Sequence, residues 1–462
     1  MATQLIDDAR IQRLNDAESR DGRFVLYWMQ QSQRTSCNHA LEFAVRRANE
    51  LGSRLLVAFA LTDDYPDANL RHFTFLLQGL QQVEQELQRR DIRFTLRIGD
   101  PVDVIADLAG DAREVICDRG YLRHQVKWRR DFAKKFGGPV WQIESDVIVP
   151  VEVASDQAEY AARTIRSKIN HASEQFLHDL KTTPLDKDSS PLDVAGEDLS
   201  DLSKLLDQLS IDTDVAAVDE FTGGTSQAKA RLRQFLQDGL NDYRQDLSLC
   251  SPHVSMLSPW LHFGQISPLE IALAVQSAKG TATEAKDEYL EELLVRRELA
   301  INFVHYCSDY DSLQCLPDWA AETLEEHEDD ERPYHYTATE LENAETHDPA
   351  WNAAMLEIKH RGYLHNYMRM YWGKKIIEWT NTTAHAYRTA IDLNNKYFLD
   401  GRDANSWTNV AWLFGLHDRA HQERDVFGKV RYMSDGGLKR KFDIGQWVQS
   451  VEDRWQVSAT TS

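Results

Sequence analysis

Between Asp348 and Asn405 the chain sets an arginine on a stripe of tryptophans. The segment reads DPAWNAAMLEIKHRGYLHNYMRMYWGKKIIEWT, then a connection, then IDLNNKYFLDGRDAN. Asp348 before Pro349 has the form of a helix start, a capping carboxylate followed by a proline at the first helical position. A second helix after Gly362 would hold His365, Arg369 and Trp372 at i, i+4 and i+7, on one face. Trp379, seven residues further, returns to that face, while Met370 and Tyr371 point elsewhere. A buried guanidinium needs an anion, and Asp400 in LDGRDAN is the nearest candidate in sequence. Indoles are oxidisable and stack closely, which suits stepwise electron transfer. The same spacing also builds an ordinary core, and Arg–Asp pairs also serve structure.

Two more stretches carry chemistry. Ser258–Pro259 and Ser267–Pro268 read as capped helix starts, whose free N–H groups suit an anion such as a pyrophosphate. Tyr289–Phe303 reads as one helix on which Glu291, Glu292, Arg296 and Arg297 can pair at i+4 and i+5.

These residues need a frame. From 22 to 150 apolar runs of strand length alternate with helical patterns. The strands are Phe24–Met29, Leu55–Leu61, Phe94–Ile98, Glu114–Cys117 and Val140–Ile143. The helices are Ala40–Leu51, Phe73–Arg89, Val102–Leu108 and Tyr121–Phe136. That order predicts an open, Rossmann-like parallel sheet with helices on both faces, a fold that often binds ligands beyond the strand C-termini. Neither GxGxxG nor GxxxxGK[ST] occurs. Asp186–Glu220 is rich in Asp, Ser and Leu and reads as a linker with short helical pieces. Beyond the FTGG turn at Phe221–Gly224 the pattern is helical almost throughout, starting with Ala228–Leu240. The expected organisation is α/β plus all-α: a parallel-sheet domain at 20–180, a linker at 181–224 and a helical domain at 225–462.

A chain of 462 residues exceeds one ordinary core. Its five cysteines form no CxxC pair, which speaks for a reducing cytosol without disulfides or a metal cluster. The N-terminus is polar, with no signal-peptide core, and no apolar run is long enough to span a bilayer. A soluble cytoplasmic protein is expected. The net charge of −22 argues against a generic nucleic-acid binder. The acid gathers in Asp186–Glu220 and Glu322–Glu331, whereas Arg119–Lys135 and Gly428–Lys441 are basic. A basic groove on an acidic body and plain solvated surface both fit.

Taken together, these residues resemble a family. VLYWMQQSQR (Val25–Arg34), VPVEVASDQAEYAARTIRSKI (Val149–Ile169), RLRQFLQDGLNDY, LSPWLHFGQIS, LEELLVRREL, RGYLHNYMRMYWGKKIIEW, LDGRDAN and VFGKVRYM are similar to class II cyclobutane pyrimidine dimer photolyases, over nearly the whole chain. The chain departs from the family at Cys37, Asn38 and His39, in place of an Asp-Asn-Trp-type run, and at Trp407.

The resemblance implies FAD, active as the reduced anion, in the helical domain. It implies light-driven electron donation to a DNA pyrimidine dimer, with the electron returning after the cyclobutane ring opens. It assigns Tyr243 and the Ser255, Met256, Leu257, Ser258 loop to the ribityl and phosphate groups. Asn394 is assigned to flavin N5, and Arg369 and Asp400, with Gly401 and Arg402 beside them, to the isoalloxazine. Trp372, Trp351 and Trp379 become the electron-transfer row, in that order outward, with Tyr371 nearby. Glu292, Asn366, Met370 and Trp412 become substrate contacts, and Arg431 with nearby lysines holds phosphates. The expected partner is damaged single- or double-stranded DNA, bound by a monomer, with no membrane and no metal. An antenna chromophore, deazaflavin or folate, has a place in the family, but nothing in the residues identifies one. A cryptochrome photoreceptor is the alternative. The short stretch after Lys441 favours repair over that alternative, since cryptochromes often carry a long C-terminal extension.

Overall fold

The computed structural model describes residues 6–245, 248–250 and 253–455. Six strands form one sheet in the order β1-β6-β5-β2-β3-β4: β1 (Ile11–Arg13), β2 (Phe24–Trp28), β3 (Arg54–Leu61), β4 (Arg93–Ile98), β5 (Ala112–Asp118) and β6 (Val140–Ile143). The five expected strands are all present, and they pair in parallel. β2 (FVLYW) and β3 (RLLVAFAL) are near-continuous apolar runs because helices cover both faces, and every residue of β2 is buried; β4 at the edge reads RFTLRI and is half-buried at its ends. β1 pairs antiparallel to β6, so the sheet is not wholly parallel as expected. Its three residues, IQR, are half-buried or exposed and carry no apolar alternation to announce a strand.

The order of the parallel strands reverses between β2 and β5, and the carboxyl ends there open onto the second half of the chain. Within 181–224, residues 194–197 run along the outer edge of β4. Glu197 N–H donates to Leu96 O, Arg93 to Val194 O and Thr95 to Ala195 O. The segment anchors itself with buried Leu192, Leu199, Leu205 and Phe221.

From Thr225 the described chain is helical. Asp348 caps the Pro349–Arg361 helix through the N–H groups of Ala350 and Trp351, and Gly362 ends it at φ 68°. His365 caps the Asn366–Trp379 helix and is not part of its face. Gly373 lets this helix approach Ala404–Leu413, since a Cβ there would lie 2.2 Å from Leu413 Cδ1. Tyr289–Phe303 is not one α-helix: Thr283–Leu290 and Arg297–Tyr306 are joined by a π-helical turn over Glu291–Arg296. No described helix is long and apolar enough to cross a membrane.

Candidate active site

The π turn determines where the acidic pair points. With i→i+5 geometry Glu291 faces Arg296, at 3.4 Å, and also Arg166, at 2.7 Å. The Glu291–Arg296 pair is the expected i+5 spacing; the i+4 pair, Glu292–Arg296, is absent among the described ion pairs, and Arg297 donates to Asp146 O. Glu292 is thereby set apart from its neighbour. Glu292 is exposed, yet partial dehydration of its carboxyl raises its pKa, against the pull of Arg296.

Around Glu292 the tyrosines gather. Tyr243 packs edge-on against Tyr289 at 5.3 Å. Burial first, then the Glu292 charge, push the Tyr243 phenol up. Buried Tyr363, raised to about 12 by burial, lies in the fields of Arg369, Asp400, Arg361 and Arg231. Arg231 Nε donates to Ser255 O at 3.1 Å, tying the Ser255–Ser258 loop to the Thr225–Asp238 helix. Met256 in that loop holds φ 52°. Ser267 caps its helix as expected, but Ser258 does not: it is the first residue of a single turn, Ser258–His262, with Leu257 at the cap and no side-chain cap bond. So short a helix adds little dipole for an anion.

Arg369 and Asp400 are paired. Nη1 and Nη2 reach Oδ1 at 3.1 Å each, Nη2 reaches Oδ2 at 3.0 Å, and the guanidinium sits 3.9 Å from the centre of the Phe398 ring. Gly401 closes the turn before them; a Cβ would meet Asn394 O at 2.9 Å and Phe398 O at 3.0 Å. Asn394, on the last turns of Thr383–Tyr397, is buried beside it.

Trp372, Trp351 and Trp379 are each at most 1% exposed. Trp351 lies 6.5 Å from Trp372 with planes 9° apart, and 5.6 Å from Trp379 at 68°. Trp351 Nε1 donates to the backbone carbonyl of Trp372 at 2.9 Å, while Trp372 Nε1 has no partner. The order Trp372–Trp351–Trp379 is therefore one of direct contact. The outer ring does not reach solvent: Tyr336 at 5.4 Å and His347 at 5.3 Å flank it. Tyr371 is buried, and its hydroxyl donates to Asp348 Oδ2.

Trp412 belongs to a second cluster. Lys374 Nζ is 5.4 Å and Arg431 Cζ 5.7 Å from its ring centre. Lys374 is fully buried, donates to Leu413 O, and is lowered to about 7 by burial. Arg431 makes a two-bond pair with Asp418 at 2.7 and 3.0 Å, so its charge is already partnered. Asn366 is exposed and Met370 half-buried; Lys439, Arg440 and Lys441 are exposed. The basic run Arg119–Lys135 is not a simple surface patch, since Arg119 and Arg129 are buried and Arg129 donates to Gln142, Gln125 and Gly120.

Arg402 turns to a third place. At the carboxyl ends of β2, β3 and β5 a cavity is lined by Gln30, Gln33, Phe59, Tyr65, Phe73, Trp128, His262, Phe263 and Arg402 among others. Arg402 is buried with φ 66° and bonds His262 at 3.1 Å, yet its Nε and Nη1 have no partner. Gln30 Oε1 and Gln33 Oε1 likewise have no hydrogen-bond partner, and His262 Nδ1 lies 3.8 Å from Asp403 Oδ2. Lys374, Gln30, Gln33, His262 and Phe263 fall within motifs that carry the resemblance, but their meeting places were not legible, because the segments are scattered along the chain.

A parallel α/β sheet joined to a helical domain, with a buried tryptophan row running from an Arg–Asp pair, can be compared with known proteins. The DNA photolyase family model matches residues 25–186. A deoxyribodipyrimidine photo-lyase of Methanothermobacter thermautotrophicus is 46% identical over 454 residues, 97% of this chain and 99% of that protein. This chain belongs to the DNA photolyase family. The fold agrees: a class III photolyase of Agrobacterium tumefaciens superposes with a TM-score of 0.75 at 19% identity, covering 96% of this chain and 89% of that one. A Sulfolobus tokodaii photolyase described with two FAD molecules superposes at 0.70 and 14% identity, covering 94% of each chain.

Proposed function

We propose that this photolyase-family chain reverses cyclobutane pyrimidine dimers in DNA with light, using FAD held in the helical domain at 225–462. The observation that carries the reading is the Arg369–Asp400 pair beside Phe398, with Trp372 on the same helix opening a contiguous indole row. The residues suit a flavin: a fixed guanidinium, a buried amide at Asn394, a turn that only Gly401 can close, and a loop at Ser255–Ser258 held by Arg231. When bound, FAD supplies light absorption and a transferable electron.

The chain's own groups do the rest. Arg369, locked by Asp400, offers a positioned cation for an anionic ring system without reorganising. Glu292, whose pKa dehydration raises, is set to share a proton with a base carbonyl. Photolyases take their target bases out of the stack, and Trp412 and Met370 then provide an apolar wall with Asn366 at its rim. Lys374 and Arg431 hold the Trp412 ring. Arg431 meets phosphate by exchanging Asp418 for it, as Lys439 does by exchanging Asp435, while exposed Arg440 and Lys441 take backbone charge beside them. Trp372, Trp351 and Trp379 conduct electrons inward to restore the reduced cofactor and stand outside the repair step. The cavity between the α/β domain at 20–180 and the helical domain receives a second, planar chromophore, whose polar edge meets Arg402, Gln30 and Gln33. The 181–224 segment links the two domains. The chain works as a cytoplasmic monomer.

The test is a pair of measurements: flavin released per chain on denaturation, and retention of duplexes bearing a cyclobutane dimer, a (6–4) lesion or no lesion. One flavin per chain and selective retention of the cyclobutane dimer are expected. Absence of flavin, or equal retention of all three duplexes, refutes the reading.

A further inference from the structure

Asn394 and the first domain are joined through one buried amide. Asn395 is fully buried, and its side chain makes three hydrogen bonds. Oδ1 accepts from the backbone N–H of Arg402 at 3.0 Å and from Asn394 Nδ2 at 3.1 Å. Nδ2 donates to Asp67 Oδ2 at 2.9 Å, across 328 positions of chain. The direction of every bond follows from the end groups. A backbone N–H only donates and an ionised carboxylate only accepts, so Asn395 cannot be turned over without losing both. Its oxygen then admits only the Nδ2 end of Asn394. Oδ1, an acceptor, is the end of Asn394 left for a ligand.

The clamp is built at some cost. Both flanking groups sit in the left-handed region, Asp67 at φ 58° and Arg402 at φ 66°, which non-glycine residues enter rarely. Asp67 is the third residue of a Tyr65–Ala68 turn closed by Ala68 N–H to Tyr65 O, with Pro66 second, the form that requires a positive φ at its third position. Its neighbours grip the same strip of the helical domain: Asn69 Nδ2 donates to Lys396 O at 2.7 Å, Arg71 Nη1 to Tyr397 O at 2.6 Å, and His72 Nε2 lies 3.2 Å from Phe398 O.

We infer that Asp67, through Asn395, is a positioning residue that presents the Asn394 carbonyl oxygen to the flavin edge, so that the first domain favours a ring protonated at N5. This rests on the reading of Asn394 as the residue facing N5. An acceptor at that place attracts N5–H of the reduced ring and repels the lone pair of the oxidised one. Losing the orienting bond releases Asn394 to present either end.

The test is a redox titration of the flavin-loaded protein, read by absorbance, on wild type, Asp67→Gly, Asp67→Asn and Asn394→Leu. Glycine removes the carboxylate and relieves the left-handed strain; asparagine tolerates the turn and keeps an acceptor oxygen. At one fixed potential the ratio of reduced to oxidised flavin should fall roughly fivefold in Asp67→Gly, the worth of one ordinary hydrogen bond. Asp67→Asn should restore it, and Asn394→Leu should show at least as large a fall. A wild-type ratio in Asp67→Gly alongside a shifted Asn394→Leu overturns the inference. So does equal loss of flavin from both Asp67 variants, the mark of a purely structural contact. An unshifted Asn394→Leu overturns the assignment of Asn394 itself.

Discussion

Replacing Trp372 by phenylalanine separates conduction from repair. The indole is buried, and its N–H has no partner, so no hydrogen bond is lost with it. The bond from Trp351 Nε1 goes to the backbone carbonyl of residue 372 and survives the change. What remains is a packing loss beside Phe398, 6.2 Å away, and Trp351. A buried aromatic kept but made smaller costs about 1–2 kcal/mol, well within the stability of an ordinary domain of about 5–15 kcal/mol. The variant should therefore fold and retain flavin. Two rates are then measured on one flavin-loaded preparation: photoreduction of oxidised flavin with an external donor, and repair by chemically pre-reduced protein. Photoreduction should collapse, because phenylalanine is not oxidised in the indole's place, while repair stays at the wild-type rate. Photoreduction that survives shows that the electron path does not begin at Trp372. Both rates falling together with flavin loss shows that the row is only core.

Other consequences follow from the site. Glu292→Gln should flatten the pH dependence of repair yield: in wild type the yield falls as pH rises through the raised Glu292 pKa and the proton is lost, and an identical slope in the variant contradicts the role of that proton. Asp400→Asn leaves Arg369 without its counter-charge and should cost up to about 3 kcal/mol, the low end for a buried pair because Arg369 keeps some solvent; flavin retention after gel filtration reads it out. Buried Glu298, raised to about 7 by dehydration although Ile148 and Val149 N–H groups donate to it, holds a proton that the unfolded chain has released. Stability should therefore fall by as much as about 3 kcal/mol as pH rises from about 4.5 to about 7, and Glu298→Gln should remove that slope in denaturant titrations. Trp412→Ala should reduce lesion preference, whereas Arg431→Ala should weaken binding to damaged and intact duplex alike and lower the salt slope by about one unit or less, since Asp418 already holds that guanidinium.

The central parallel strands were legible because strands buried on both faces are near-continuous apolar runs, as in β2 and β3, and the Arg369–Asp400 pair because a cation held inside must find one of few nearby acids. β1 was not, since one isoleucine and two polar residues at a sheet edge are too short to show a pattern. Nor was the π turn: a 3.6-residue period read across Tyr289–Phe303 favours the i+4 pair Glu292–Arg296 and sets Val295 over Glu291, whereas the extra residue in the turn brings Arg296 round to Glu291 at i+5. His365 shares the spacing of Arg369 but lies before the first helical residue, because a cap and a first-turn position look alike in sequence. Trp372 and Trp379 were legible as spacing, whereas Trp351, which lies between them in contact, came only from the resemblance, and the burial of Trp379 depends on Tyr336 and His347 arriving from another segment. Long-range polar pairs such as Asp67 and Asn395 leave no local trace.

The central claim is reversal of a cyclobutane dimer by light. Its most direct measurement is the recovery of thymine absorbance in an oligonucleotide carrying one such dimer, mixed with pre-reduced protein and held either in blue light or in the dark. Recovery in light, with none in the dark and none without the reductant, is the predicted result. Equal recovery in the dark, or no recovery under light by protein that carries reduced flavin, contradicts it.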